Sequence, residues 1–300
     1  MFVYPSYYQK FACIAGRCRH SCCIGWEIDV DEDTYGAYQS VTGEIGERLR
    51  ASLCDEDTVH FILGEGERCP FLNRDNLCDL ILSLGEDSLC EICREHPRFY
   101  NVLSSDTEVG LGLCCEEAAR LILSEKEPMT LIGEHESKDA FEAACLLWRD
   151  EVFGILQDRG VSMEKRSELL LEKSEKTLPN VAESIALLLS LEIMTPEWRD
   201  LLSRALSMDG CKALQGRDRE MEQFSVYLAY RYLITAFDLE DLLIKTAFVA
   251  WSFSLVSALG GVLSAERGAL TREALVELCR LFSCEIEYDE DNLQAILDYL

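Results

Sequence analysis

The sequence predicts a mainly α-helical protein in two parts. A cysteine-rich N-terminal region of short, irregular elements, stapled by metal, comes first, and an all-helical C-terminal region follows. Three observations predict this. Eleven of the 15 cysteines precede residue 120 and four follow it. The later segments repeat apolar residues at three- and four-residue spacing, the period of a helix with one buried face. At 300 residues and 48% hydrophobic, the chain can build a sizeable core. The parts are expected to divide into residues 1–125 and 126–300, near "LSEKEPMTLIGEHESK" (123–138), where charge, Pro128 and Gly133 suit a connection.

In chain order, "WEIDV" (26–30) alternates like a short strand. Asp31 or Asp33 is placed to cap a helix beginning near Thr34. Residues 66–99 alternate loops with short helices, and "LCDLILSL" sets Leu77, Leu80, Ile81 and Leu84 on one helical face. "CCEEAARLILSE" opens another helix with Glu116 and Glu117 in its first turn, where the macrodipole favours acids. Beyond residue 137 come the helical segments "KDAFEAACLLWRDEVFGILQDRG", "NVAESIALLLSLEIM", "PEWRDLLSRAL", "MEQFSVYLAYRYLITAF" and "TREALVELCRLFS". Pro179, Pro196 and Gly210 punctuate them, and "EIEYDEDNLQAILDYL" closes the chain with an amphipathic turn or two.

The net charge of −27 makes nucleic acid an unexpected partner, because phosphate binding needs a basic face. An acidic surface favours basic partners such as lysine side chains, though it also simply keeps a protein soluble. The first residues lack the basic, apolar and small-residue segments of a signal peptide, so the protein is expected in the cytoplasm. Residues 246–265 carry no charge and nearly reach the length of a membrane span. Their Ser and Thr content, Gly260 and Gly261, and the lack of basic flanks favour a buried central helix instead, so no membrane span is expected.

In a reduced compartment clustered thiols more often bind metal than pair as disulfides. Four clusters stand out: "CIAGRCRHSCC" (13–23), "CPFLNRDNLC" (69–78), "CEIC" (90–93) and "CC" (114–115). A Cys-x-x-Cys turn such as Cys90 and Cys93 presents two sulfurs to one tetrahedral ion. Only that turn has ordinary zinc spacing, and the irregular gaps suit an iron–sulfur cluster at least as well. His20 and His96 sit inside clusters and are secondary ligand candidates. In the adjacent pairs Cys22–Cys23 and Cys114–Cys115, one member can ligate while the other packs or serves a second centre. Cys54, Cys145, Cys211, Cys279 and Cys284 read as small core or surface residues. A closed structural staple and a reactive cluster both remain open. The chain has no dinucleotide-binding glycine motif, P-loop lysine or nucleophile elbow. It also lacks the ordinary C-x-x-x-C-x-x-C run of radical S-adenosylmethionine enzymes.

The first 125 residues resemble the flagellin lysine-N-methylases, which contain a CxxCxxCC-type zinc- or iron-chelating domain. The resemblance runs through Tyr4–Pro5, Cys13, Cys18, Cys22–Cys23, Gly25–Trp26 and "EIDVD". It continues through Cys69-Pro70-Phe71-Leu72 and Cys78, then Leu84-Gly85-Glu86, Leu89-Cys90, Cys93 and Pro97-Arg98. It ends on Cys115 with Glu117-Ala118-Ala119-Arg120. Cys114, Glu116 and His96 depart from the family's usual residues, and Cys114 makes the ligand assignment at Cys115 ambiguous.

The resemblance implies methyl transfer from S-adenosylmethionine to surface lysines of flagellin, by an enzyme carrying a four-iron–four-sulfur cluster, with zinc as the alternative metal. The ligand candidates are Cys13, Cys18, Cys22, Cys23, Cys69, Cys78, Cys90, Cys93 and Cys115. Nine thiols exceed the needs of one four-iron cluster, so some only pack nearby or there are two centres. Tyr7, Tyr8, Trp26 and Arg98 lie near the motifs as candidate lining residues, beside the reading that they pack around the metal. The competing functional reading is a non-catalytic zinc or iron–sulfur module that docks a protein partner or carries metal or electrons.

Overall fold

The computed structural model describes residues 1–208 and 213–300. Its described residues form two compact units. One is continuous, Ala12–Phe99; the other joins Met1–Phe11 to Tyr100–Leu300. The junction expected at residue 125 falls at the end of helix α5 (Glu116–Ser124), inside the second of these units.

The 12–99 unit holds the short elements expected of it. Helix α1 (Glu32–Ser40) starts one residue after Asp31, whose side chain accepts from the Thr34 N–H. Helix α2 (Gly43–Ala51) follows, then a two-strand ribbon of β2 (Leu53–Cys54) and β3 (His60–Phe61). Helices α3 (Asp79–Leu84) and α4 (Glu91–Glu95) are only six and five residues long. "WEIDV" is not a strand: only Asp29 forms a bridge, to His60, while Ile28 and Val30 turn inward. Its alternation thus serves burial without a ladder partner long enough to make a strand. The core collects Ile28, Val30, Tyr38, Leu49, Phe61 and Phe71, together with Cys69 and Cys90.

The other unit carries a four-stranded sheet in the order β4 (Arg98–Val102, whose first two residues belong to the 12–99 unit), β5 (Thr107–Leu111), β1 (Phe2–Pro5), β6 (Leu131–Ile132). Strand β1 runs parallel to β5 and antiparallel to β6. The two-residue β6, within the charged 123–138 stretch, is the one departure from an all-helical region after residue 125 among the described residues. Helices α6 (Ala140–Leu156), α7 (Met163–Ser174), α8 (Val181–Ser190), α9 (Pro196–Ser207) and α10 (Asp218–Tyr232) follow. Then come α11 (Leu239–Arg267), α12 (Arg272–Phe282) and α13 (Glu290–Tyr299). Gly210, expected as punctuation, and Cys211 lie outside the described residues.

Helix α11 is the one described helix long and apolar enough to cross a membrane, yet 78% of its apolar window is buried in the fold. Its Phe248 and Trp251 pack in a cluster with Tyr232 of α10 and Phe282 of α12, with ring centroids 5.4–6.5 Å apart. That is the packing of a core helix. From α10, the Tyr230 hydroxyl reaches the carbonyls of Val3 (3.2 Å) and Val109 (3.1 Å), fixing the helix across β1 and β5. The buried Arg149 of α6 holds Glu108 of β5 through two hydrogen bonds, at 2.8 and 2.6 Å.

Candidate thiol centre

Backbone pairing brings the first two cysteine clusters together. The Cys69 N–H donates to the Cys23 carbonyl (2.8 Å), Gly25 N–H to Glu67 (3.0 Å), and Ile24 bridges Arg68. The loop between Cys69 and Cys78 is closed from inside by Asn73. Its side-chain oxygen accepts from the N–H groups of Asp75 and Leu77, an Asx turn that leaves Leu72 paired with Cys78. Arg48 fastens the same loop by an ion pair to Asp79 (2.7 Å), a hydrogen bond to the Pro70 carbonyl and a seat on the Phe71 ring. The 13–18 loop leans on this turn as well, since a Cβ at Gly16 would lie 2.8 Å from the Asp75 carbonyl oxygen.

The Cys90–Cys93 turn is tied in by one carboxylate. Asp31 caps α1 with one oxygen and accepts from the Glu91 N–H (2.8 Å) with the other. Tyr38 of α1 donates to the Ser88 carbonyl (2.8 Å) just before the turn. Arg98 closes its far side, donating to the carbonyls of Arg94 and Glu95. Cys78 and Cys90 each occupy the residue immediately before a helix.

The thiols respond to one another. A hydrogen bond with Cys22 brings the Cys23 thiol down to about 7 against the cost of burial, helped by Ser21 and the positive Arg68. Cys93 holds Cys90 below the ordinary thiol value in the same way, and is itself pushed up by that bond and by burial. Burial raises Cys69 to about 12, and Cys69 also senses Cys23, Cys78 and Cys90. Cys78 is raised chiefly by burial, with Cys23 adding to the shift.

Six of the nine candidate ligands, Cys22, Cys23, Cys69, Cys78, Cys90 and Cys93, therefore form one electrostatic neighbourhood. Cys13 is exposed and Cys18 half-buried on the preceding loop. Cys115 belongs to the other unit, at the start of α5, with the buried Cys114 beside it. Among the described residues no three or more His, Cys, Asp or Glu side chains converge as a metal site. The structure thus does not show the expected metal staple among the described residues. Within the neighbourhood, Cys22 pairs with Cys23 and Cys90 with Cys93 by side-chain hydrogen bonding.

Of the secondary candidates, His20 is exposed. His96 is half-buried, and burial, then Arg98, lowers it to about 4. Trp26 is half-buried in the 12–99 unit, whereas Tyr7 and Tyr8 belong to the other unit, where Tyr7 is buried and Tyr8 stacks on Tyr4. Cys145, Cys279 and Cys284 are buried as expected of core residues, and Cys54 is half-buried. Sequence reasoning found the cap at Asp31 but missed its second bond to Glu91, and missed the roles of Asn73 and Arg48. A signal existed for Asn73 in the turn-forming "NRDN", but the distant partners of Asp31 and Arg48 leave no local trace.

Residues 197–300 match the FliB lysine N-methylase C-terminal domain. A lysine-N-methylase of Salmonella typhimurium is 28% identical over 151 residues, 47% of this chain and 37% of that protein. A lysine-N-methylase of Salmonella choleraesuis is 26% identical over the same shares. The flagellar biosynthetic protein FliU of Salmonella muenchen is 29% identical over 142 residues, 44% of this chain and 82% of that protein. The chain thus spans little more than a third of the length of the two lysine-N-methylases it matches. No solved structure matches. The C-terminal domain match and the named relatives point the same way as the ordered cysteine motifs of the N-terminal region: over these stretches the chain is similar to the flagellin lysine-N-methylases.

Proposed function

We propose that the protein is a lysine N-methyltransferase acting on flagellin, with S-adenosylmethionine as methyl donor and a thiolate-held metal centre in the 12–99 unit. The observation that carries this reading is the gathering of six thiols in one neighbourhood, in a chain whose relatives are named lysine-N-methylases. The donor set fits a soft metal. It is rich in sulfur, two of its thiols lean toward thiolate, and Arg68 adds positive charge beside Cys23.

Cys22, Cys23, Cys69, Cys78, Cys90 and Cys93 would hold the group, an iron–sulfur cluster before zinc, with closure of the two hydrogen-bonded pairs around it. A bound cluster would supply either a rigid staple or an electron-transfer centre next to the methyl donor. The protein's own part is to hold the thiols within reach through Asp31, Asn73 and Arg48.

The test is anaerobic purification followed by measurement of iron, acid-labile sulfide and the visible spectrum, then transfer of labelled methyl groups from S-adenosylmethionine to flagellin. Iron with sulfide and labelled flagellin lysines are the expected results. Zinc without sulfide would replace the cluster with a structural ion. Absence of label in flagellin with metal-loaded protein would overturn the methylase reading.

A further inference from the structure

The helical unit contains a second centre that the thiol chemistry does not use. Helix α12 runs into a π-helical segment, Ser283–Glu287, where the Tyr288 N–H reaches back to the Ser283 carbonyl (3.2 Å). Such widened turns are uncommon and gather at functional sites. This one sets Glu287 in the interior, its side chain fully removed from solvent. One carboxylate oxygen is heavily engaged: Oε1 accepts from the hydroxyls of Tyr227 (2.9 Å) and Tyr232 (3.0 Å), with Arg231 Nε 3.6 Å away. The other, Oε2, is buried with no hydrogen-bond partner among the described residues, and so is Ser283 Oγ at the head of the same segment.

A buried carboxylate oxygen without a donor is costly, and a fold retains one where something must be received. The surroundings say what. Arg231 lies against the faces of Tyr232 and Tyr288, 5.5 and 5.0 Å from the ring centroids, and donates to the Tyr227 hydroxyl (2.8 Å). Burial keeps the hydroxyls of Tyr227, Tyr232 and Tyr288 protonated. The titratable groups facing Glu287 are therefore Tyr227, Arg231 and Tyr232 from α10, and Cys279, Cys284 and Tyr288 from α12 and its extension. From the loop after β5, Cys114 meets Tyr288, and the Leu113 N–H donates to Tyr227 (3.3 Å). Gly112 makes room there, since a Cβ would fall 2.0 Å from the Tyr288 hydroxyl.

We propose that Glu287 Oε2 receives the side-chain amine of the substrate lysine and accepts its proton before methyl transfer. The proposal rests on the lysine-methylation reading and adds the position where the nucleophile is prepared. A lysine arrives as an ammonium, and its nitrogen attacks only with a free lone pair. Burial and the like charge of Arg231 both lower the proton affinity of an amine placed here, and Glu287 takes the proton. The nitrogen lone pair then forms the N–C bond as the S–C bond of the sulfonium donor breaks. The bonding electrons stay on sulfur as a neutral thioether, and the methylated amine carries the positive charge. Tyr288 and Arg231 (side chain 14% exposed) are the least buried members of the cluster, and the amine would have to enter past them.

The probe is n-butylamine, the side-chain analogue of lysine, titrated calorimetrically into the full chain at pH 7 and pH 9. Binding is expected at both values with similar affinity, because the one proton the amine brings is shared with the carboxylate at either pH, and at least tenfold weaker in Glu287→Gln. Tyr232→Phe, which strips one donor from Oε1 and makes the carboxylate a stronger acceptor, is expected to tighten binding about threefold and keeps the test available if the first variant fails to fold. No binding to the wild type, or equal affinity in all three proteins, overturns the proposal. In the flagellin assay Glu287→Gln should lower kcat at least a hundredfold with the donor KM unchanged, the deficit narrowing as pH rises. An active wild type with an equally active Glu287→Gln defeats the proposal and spares the methylase reading. An inactive wild type defeats that reading, and amine binding still decides whether Oε2 takes an amine.

Discussion

The two compact units solve the same problem with different materials. The 12–99 unit has helices of nine residues or fewer and two-residue strands, and its order comes from side chains that reach across loops: Asp31 to Glu91, Asn73 to its own turn, Arg48 to Asp79. The unit containing residues 100–300 has helices of up to 29 residues around an aromatic core and places its buried charges in pairs, Glu108 with Arg149 and Glu222 with Arg166. Short elements bury too little apolar area to stand without cross-links, and thiols near one another are the natural material for a further one. Long helices need no such help, so their buried polar groups are available for other work.

This contrast can be broken at several points. The largest effect is expected from replacing Cys90 and Cys93 together by serine. If a metal closes the thiol neighbourhood, bound metal should fall to near zero and residues 12–99 should become protease-sensitive, a loss of about 10 kcal/mol of binding energy. The helical circular dichroism of the rest should persist. Full metal content in this variant would remove these two thiols from the ligand set.

Next, Arg149→Met takes one of the two cationic partners from the buried Glu108 carboxylate and leaves it His135 at 3.0 Å. Breaking a buried pair on one side costs about 3–5 kcal/mol, and the melting temperature of the helical unit should drop accordingly.

Acid should separate the units as well. His96 sits at about 4 in the folded protein against 6.5 for the free side chain, so the unfolded chain gains the proton first as pH falls. Stability of the 12–99 unit should therefore decline between pH 6.5 and about 4, by about 3 kcal/mol at most. Glu108 is shifted below its ordinary 4.5, so its contribution is complete above that value and is lost only as pH falls through the lower folded one. Hydrogen exchange at pH 5 should thus show the cysteine-rich unit opening while the sheet around β5 stays protected.

Smaller effects sharpen the comparison. Gly46→Ala would place a Cβ 2.0 Å from the Val41 carbonyl oxygen, a backbone clash expected to cost the 12–99 unit about 2 kcal/mol in denaturant melts. Tyr230→Phe removes the hydroxyl that ties α10 to two strand carbonyls, and about 1 kcal/mol of the helical unit's stability should go with it.

Much of this was readable in the chain. The Asp31 cap, the acidic first turn of α5 and the buried character of 246–265 are local or periodic signals, and each is found where the pattern placed it. Alternation misled at 26–30, because a strand needs a partner and alternation records only burial. The thiol motifs marked candidate ligands but not which of them share a neighbourhood, since backbone pairing between Cys23 and Cys69 decides that. The Glu287 centre left no mark at all. Tyr227, Arg231 and Tyr232 read as ordinary helix, and a π-helical turn has no signature in composition.

Strand β1 has a consequence for synthesis. It leaves the ribosome about a hundred residues ahead of its parallel partner β5, which begins only at Thr107. At about 5–20 residues per second, β1 waits roughly 5–20 s for its neighbour. The whole of residues 12–99 is made during that wait, in one continuous stretch. The cysteine-rich unit can therefore fold, and collect whatever its thiols bind, before the sheet of the other unit closes. If the thiols bind a metal, its supply would act on the nascent chain, and a shortage would be felt before the helical unit exists.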